Sequence, residues 1–538
     1  MVLNQPFKHL THTMKYLNKT KIPHLFVAVA LLFAGCESNL IDVEPTVEVA
    51  NEESDSDLSQ FNFTELGEMT DFSNMREGDF TGRFLILSKG PNLPHNLEKS
   101  IQNAGGELVK TYPEIGVAVA VARSSDFYAK VGRINGIESV TPDLILDYTE
   151  EPEVSANNMV LESNRSRSSK GTTSIGAPFD YQSAIFNGWQ WAPAAISAPA
   201  AWEAGVTGKG VRVAVIDGGF HATHLDLAPN MDIESSISTV PGFNFNEDTG
   251  TFWHGTHVAG IVAASGFGIV GIAPEATIIG VKSLHNGSGA FEWILEGILY
   301  AATPKSKGGA GADIINMSLG ATINYRDNWQ DKAFREYFRD LQKTYDRATR
   351  YAFQNGVTVI ASAGNGATNY DVAKELFKLP AQNQHVISIS ATGPTGWVLG
   401  NNNFGLLAYY SDHGKSLVDF AAPGGNAALA AVDGNFSPCT IVGTTRTATQ
   451  PCYVFDQVFS TTRGTSDGNY GWSQGTSMAS PAAAGVVALM MQVNGGRLNP
   501  AQVAARLKQS STDLGKPGND EFYGHGFVNA AKAAGVYR

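Results

Sequence analysis

The chain of 538 residues is poor in cysteine, in charge and in long apolar runs, and each scarcity narrows what it can be. Its three cysteines are Cys36, Cys439 and Cys452. The first closes an export signal, which leaves one pair, 13 positions apart, for a loop staple in an oxidising compartment; two free buried thiols are the alternative. Charged residues make up 17% of the chain, and the 51 acidic residues outnumber the 38 basic ones. A net charge of −13 leaves no basic surface to neutralise phosphates, which excludes a general nucleic-acid binder. The apolar run Leu25–Gly35 follows Lys15, Lys19 and Lys21 and is too short to span a bilayer. It reads as a signal peptide over residues 1–35, and no other segment is read as a membrane span. Glycine, at 57 residues, is plentiful, as expected of a fold with many tight turns.

The signal ends in Phe33-Ala34-Gly35-Cys36, which resembles a bacterial lipobox with Phe33 where leucine is usual. A lipid on Cys36 would then be the one link to a membrane; an ordinary signal cut nearby is the alternative. Residues 36–82 form an acidic flexible spacer. Over 83–148, strand-like runs (RFLILS, ELVKTYPEI, GVAVAVA, SVTPDLIL) alternate with two helical ones in the order β-α-β-β-α-β, a small ferredoxin-like unit. Residues 149–190, rich in Ser, Asn and Gly, read as an exposed, protease-accessible linker. From 191 to 538, near-continuous apolar strands (VRVAVID, ATIIGVKSL, ADIINMSL, VTVIASA, HVISISAT) are separated by helical stretches. That pattern predicts an α/β fold, a parallel sheet covered on both faces, with its functional residues at the carboxyl ends of the strands.

Hydrolysis of an amide by a serine needs a base, an acid to orient it, donors for the oxyanion and a groove for the peptide. Asp217 ends the strand VRVAVID, where a buried carboxylate can fix a histidine tautomer. His254 opens the helix HGTHVAGIVAA, and His257, one turn on, is expected to be a structural partner. Ser477 sits in QGTSMASPAAAG, a turn feeding an apolar helix whose N-terminus favours developing negative charge. Pro481 is expected in that helix's first turn. Asn365 ends VTVIASAGN, where its amide can donate to an oxyanion. Taken singly, each is more simply a cap, a turn or a structural residue.

Together the strings TGKGVRVAVID, HGTHVAG, NMSLG, SAGN, VDFAAPG, GTSMASP and GHGFVNAAKA resemble the subtilases (peptidase family S8) over nearly all of 191–538, and the unit at 83–148 resembles their inhibitor-type propeptide. The order Asp, His, Ser is that of subtilisin. The resemblance implies a subtilisin-like parallel sheet preceded by a ferredoxin-like propeptide. It further implies a triad of Asp217, His254 and Ser477 with Asn365 at the oxyanion, and a self-processing precursor of an exported, monomeric serine endopeptidase. Ser318, Leu319 and Gly320 should line one wall of the groove, Ser288 and Gly289 the other rim, and Ala363 and Gly364 the floor of the first specificity pocket. Peptides and the chain's own propeptide are the implied partners, and the chemistry requires no cofactor. Asp226 matches a calcium ligand of the family, but the loop SGFGIVGIAP is too short to complete that motif, which leaves a structural calcium elsewhere as the alternative. Gly218 stands where most members carry Ser or Thr, and 425–472 is an insertion holding Cys439 and Cys452. Two rivals are a subtilase fold without turnover, and an α/β-hydrolase esterase using Ser477, Asp513 and His525. The esterase lacks the last glycine of the nucleophile elbow, where Ala479 stands.

Overall fold

The computed structural model describes residues 78–122, 126–148, 157–160, 180–249, 253–325, 332–430, 437–444, 446–464 and 466–536. The signal, Cys36 and most of the acidic spacer lie outside them. A seven-stranded sheet forms the centre. From Phe420–Pro423 at one edge it runs through Val386–Thr392, Thr358–Ser362, Ile314–Met317, Arg212–Asp217 and Thr277–Lys282 to the short strand Ile237–Ser238. All the pairings are parallel. Strands buried on both faces read as continuous apolar runs because helices cover both sides. One face carries the helices His254–Ala263 and Thr476–Val493. The other carries Phe291–Ala302 and Lys332–Gln354.

The helix Thr476–Val493 is apolar on nearly every side and is long enough to cross a membrane, which sequence reading did not register. It is instead the central core helix, 83% buried. Pro481 is its sixth residue rather than part of its first turn. Proline has no N–H to return to the carbonyl four residues back, so Ser477 O is released from the helical ladder. The Ser318 hydroxyl donates to that carbonyl at 2.8 Å.

The N-terminal unit folds as a four-stranded antiparallel sheet, in the order Gly106–Tyr112, Val117–Ala122, Phe80–Ser88, Ile137–Asp147, with the helices Leu97–Asn103 and Phe127–Val131. Its strands alternate with period two. Phe84 and Ile86 turn towards the unit's own helices, whereas Leu85 and Leu87 turn towards Phe291–Ala302 and the rest of the large core. Asp143 caps the Phe291–Ala302 helix, accepting from Glu292 N at 3.0 Å, and Arg83 pairs with the Glu292 carboxylate at 2.8 Å.

Two features differ from the sequence reading of 149–190 as an exposed linker. Residues 157–160 pair antiparallel with Asn469–Ser473. Phe186 and Trp189 are fully buried in an aromatic cluster with Phe459, Tyr470 and Trp472, so the large domain begins before residue 191. That cluster also contains Ile441 and Ala448 of a hairpin, Pro438–Val442 with Thr447–Pro451, which a Cys439–Cys452 disulfide closes. The 425–472 insertion thus adds a satellite core to the fold.

Candidate active site

Asp217, His254, Asn365 and Ser477 stand at the carboxyl ends of strands or the amino ends of helices, with Asp217 against His254 and Asn365 against the turn that carries Ser477. Asp217 is buried at the end of its strand; its carboxylate accepts from Gly218 N at 2.7 Å and faces His254 Nδ1 at 2.9 and 3.0 Å. A carboxylate on Nδ1 leaves Nε2 as the basic nitrogen of a neutral ring. His257 is fully buried with Nε2 on Gly471 O at 3.2 Å, and burial holds its pKa down to about 3. It is therefore a neutral packing partner.

Ser477 is the second residue of its helix, and its hydroxyl donates to Ser318 O at 3.3 Å. Asn365 is held by its carbonyl: Oδ1 accepts from Thr476 N and from Thr476 Oγ1, both at 2.9 Å. The amide nitrogen is thereby turned the other way. A Cβ placed on Gly475 would lie 3.5 Å from Asn365 Nδ2 and 3.6 Å from Ser477 N. Asn365 Nδ2 and Ser477 N thus both border the space that Gly475 leaves open, with Asn365 Oδ1 at 3.7 Å from the same point.

The groove residues divide by backbone and side chain. Ser318 is fully buried, and besides Ser477 O its hydroxyl meets Asn316 Nδ2 and Ser480 Oγ, each at 2.9 Å. It anchors the serine turn, while its backbone carbonyl accepts from the Ser477 hydroxyl. Across the cleft, Ser288–Ala290 is already paired, antiparallel, with Ile145–Asp147 of the N-terminal unit. Tyr148 follows, its N–H donating to Gly287 O at 3.0 Å and its carbonyl accepting from Gly320 N at 2.8 Å. The end of the N-terminal unit therefore lies between the two rims as an added strand. Ala363 and Gly364 sit between Ser362 and Asn365, with Gly364 N donating to Thr476 Oγ1 at 3.0 Å.

Two charged residues beside Asp217 escaped sequence reasoning, Asp248 and Lys282. Asp248 explains the Asp-Gly-Gly departure: a Cβ on Gly218 would come within 2.8 Å of Asp248 Oδ2. Beside it Lys282 is buried, bonded to Gly218 O and to Leu284 O, with Asp248 at 3.9 Å. Burial pulls Lys282 down to about 8 and pushes Asp248 up to about 6. The Asp226 carboxylate does not fit a calcium ion. Its oxygens already accept from Phe267 N (2.6 Å), Gly268 N (2.9 Å), Ile269 N (3.0 Å) and Tyr470 OH (2.7 Å), with Ser265 Oγ at 3.3 Å. Protein donors complete this carboxylate where a cation would otherwise be needed. Finally, Asp513 is not placed as the esterase reading requires: it accepts from Gly518 N in a surface turn, while His525 lies against Phe420.

The family model described as "Subtilase family" matches residues 208–526. The chain belongs to the subtilase family of serine proteases. It is 32% identical to Subtilisin BL of Lederbergia lenta over 346 residues, 64% of this chain and 97% of that protein. It is 30% identical to the Minor extracellular protease Epr of Bacillus subtilis over 396 residues, 72% of this chain but only 48% of that relative's length. Among solved structures, the epidermin leader peptide processing serine protease of Staphylococcus aureus superposes with a TM-score of 0.61 at 21% identity. That match covers 86% of this chain and all of that one. Fervidolysin of Fervidobacterium pennivorans superposes at 0.57 and 23% identity, over 87% of this chain and 62% of that one. At such identities these two establish the fold, a subtilisin-like parallel sheet between helices.

Proposed function

We propose that this subtilase is an exported serine endopeptidase made as a self-processing precursor, with Asp217, His254 and Ser477 as its triad. The observation that carries the reading is the Asp217 carboxylate held on His254 Nδ1 at 2.9 Å, supported by Asn365 Nδ2 and Ser477 N both bordering the space that Gly475 leaves open. In the reaction His254 takes the Ser477 proton as Oγ attacks the scissile carbonyl. The carbonyl oxygen, now negative, is met by Asn365 and the Ser477 N–H. The tetrahedral adduct collapses when His254 protonates the leaving amine, giving an acyl-enzyme that water cleaves by the same steps in reverse. Asp217 stabilises the imidazolium without taking up the proton.

The N-terminal unit acts as an intramolecular inhibitor, a role supported by Ile145–Tyr148 lying between the groove rims where a substrate strand would bind. A cut in the segment that follows frees the groove. If Cys36 carries a lipid, the same cut releases the enzyme from its anchor, because the anchor is on the propeptide side. The test compares the full chain with its Ser477→Ala variant. The native chain should shorten by itself, to a fragment starting between 149 and 190, and should digest casein. The variant should stay whole and leave casein intact. Casein hydrolysis that survives Ser477→Ala, or a native chain inert in both assays, would reject the reading.

A further inference from the structure

Asp217 does not stand alone at its strand end. Lys282 closes the neighbouring parallel strand Thr277–Lys282 and lies opposite Asp217 in register. Its side chain is fully buried, and its ammonium donates to Gly218 O and, at 2.7 Å, to Leu284 O. Gly218 in turn donates its N–H to Asp217 Oδ1 at 2.7 Å. The Asp217 carbonyl accepts from Ser283 N at 2.9 Å and from Leu284 N at 3.2 Å. The lysine thus ties the residue after Asp217 to the strand beside it. Asp248 is the anion of the pair, its side chain 8% exposed and its Oδ1 3.9 Å from Lys282 Nζ. The same Oδ1 accepts from Thr249 N at 2.9 Å, while Oδ2 lies 2.8 Å from the point a Gly218 Cβ would take. A buried anion therefore fills the space where a side chain on Gly218 would stand. Both charges are felt at Asp217, the ammonium attracting its carboxylate and the Asp248 carboxylate repelling it.

We infer that Lys282 and Asp248 are positioning residues of the triad: the lysine holds the Asp217 turn, and the two charges together set the pH at which His254 becomes the free base. The inference rests on the endopeptidase reading above. An ammonium near the Asp217–His254 pair disfavours a positive charge on the imidazole, whereas a carboxylate favours it, so the two act with opposite signs. Burial brings Lys282 down to about 8 and Asp248 up to about 6, so both are charged between those values. Around the same site stand Asp217 on His254 Nδ1, neutral His257 on the same helix, and Arg463 over the Trp253 ring at 5.1 Å. His221 meets Asp467 at 2.8 Å, and Glu247 and His285 act on Lys282. Lys282 and Asp248 are set apart by their hold on the residue next to Asp217.

The experiment follows kcat/KM against pH on one chromogenic peptide, for the full chain allowed to mature and for Asp248→Asn, Lys282→Met and the double variant. Asp248→Asn leaves the cation unopposed and should move the acid limb down by about half to one pH unit. Lys282→Met should move it up, and by less, because Asp248 without its cation takes up a proton more readily. It should also lower kcat about tenfold with KM changed by less than about twofold, since the Asp217 turn is no longer held. The double variant removes both charges and should return the limb to within about 0.3 unit of the native value, with kcat still low. Nitrogen NMR of the His254 ring in full-chain Ser477→Ala, carrying the same substitutions, reads the shifts without maturation. Asp248→Asn keeps the side chain's size and decides by itself where Lys282→Met does not fold. An acid limb unmoved in Asp248→Asn, or moved the same way in both single variants, overturns the inference, as does a loss in Lys282→Met carried wholly by KM. A native chain that cleaves neither the peptide nor casein instead removes the endopeptidase reading and this inference with it.

Discussion

Asn365→Asp isolates the oxyanion donor more cleanly than any truncation. Both Thr476 contacts fall on Asn365 Oδ1, so an aspartate can keep them while the Nδ2 donor is replaced by an acceptor. Loss of such a donor costs about 3–4 kcal/mol of transition-state stabilisation, a magnitude measured on a relative's oxyanion amide and carried here as a reference. At about 1.36 kcal/mol per decade that is a fall in kcat between about 10²- and 10³-fold. Repulsion between the new carboxylate and the oxyanion should bring the aspartate to the upper end of that range. KM should move little, because the donor is engaged only as charge develops on the carbonyl oxygen. Asn365→Ala loses the donor and both Thr476 contacts, so it should also lower the unfolding temperature where Asn365→Asp does not. Steady-state kinetics on a chromogenic peptide, with thermal unfolding of the same samples, decide it. A fall in kcat below tenfold, or a loss carried wholly by KM, would mean that Asn365 only braces the Thr476 turn.

Gly218→Ala should destabilise the fold by about 1–3 kcal/mol, since its Cβ would come within 2.8 Å of Asp248 Oδ2; a thermal shift measures it, and an unchanged midpoint would show that Asp248 gives way freely. Replacing Cys439 and Cys452 by serine opens a 13-residue separation and should cost the hairpin about 3 kcal/mol, seen as earlier proteolysis between 437 and 452 with the triad geometry retained. Docking of the N-terminal unit should weaken with rising pH. Burial raises Asp143 and Glu292 above the ordinary carboxylate range, so the docked state holds a proton that the freed unit releases. The contribution is then fully present at and below the ordinary aspartate value of about 4 and is lost as pH rises to about 8, where Asp143 titrates in the docked state. Hydrogen exchange of the Ile137–Asp147 strand in full-chain Ser477→Ala, followed against pH, checks the sign, and protection that grows with pH refutes it.

The parallel sheet was legible because each of its longer central strands is buried on both faces and therefore reads as an unbroken apolar run. The residues proposed for the triad, the oxyanion amide and the groove could be picked out as candidates because each lies in a short contiguous string. Side-chain charge brought together from far apart was not. Lys282 and Asp248 meet beside Asp217 across 34 residues, and Lys378 and Asp412 meet behind Gly364 across the same distance, with no local spacing to announce either. A lone lysine in LFKLPAQ or a lone aspartate in YYSDHG reads as a solvated surface residue, since buried charge leaves no mark on periodicity. The orientation of Ser318 was hidden for a related reason. Its hydroxyl answers a carbonyl that Pro481 releases, 163 positions away. The sequence around each site residue thus specifies which chemistry is available, while the buried charges beside it come from segments whose neighbours only the fold assigns.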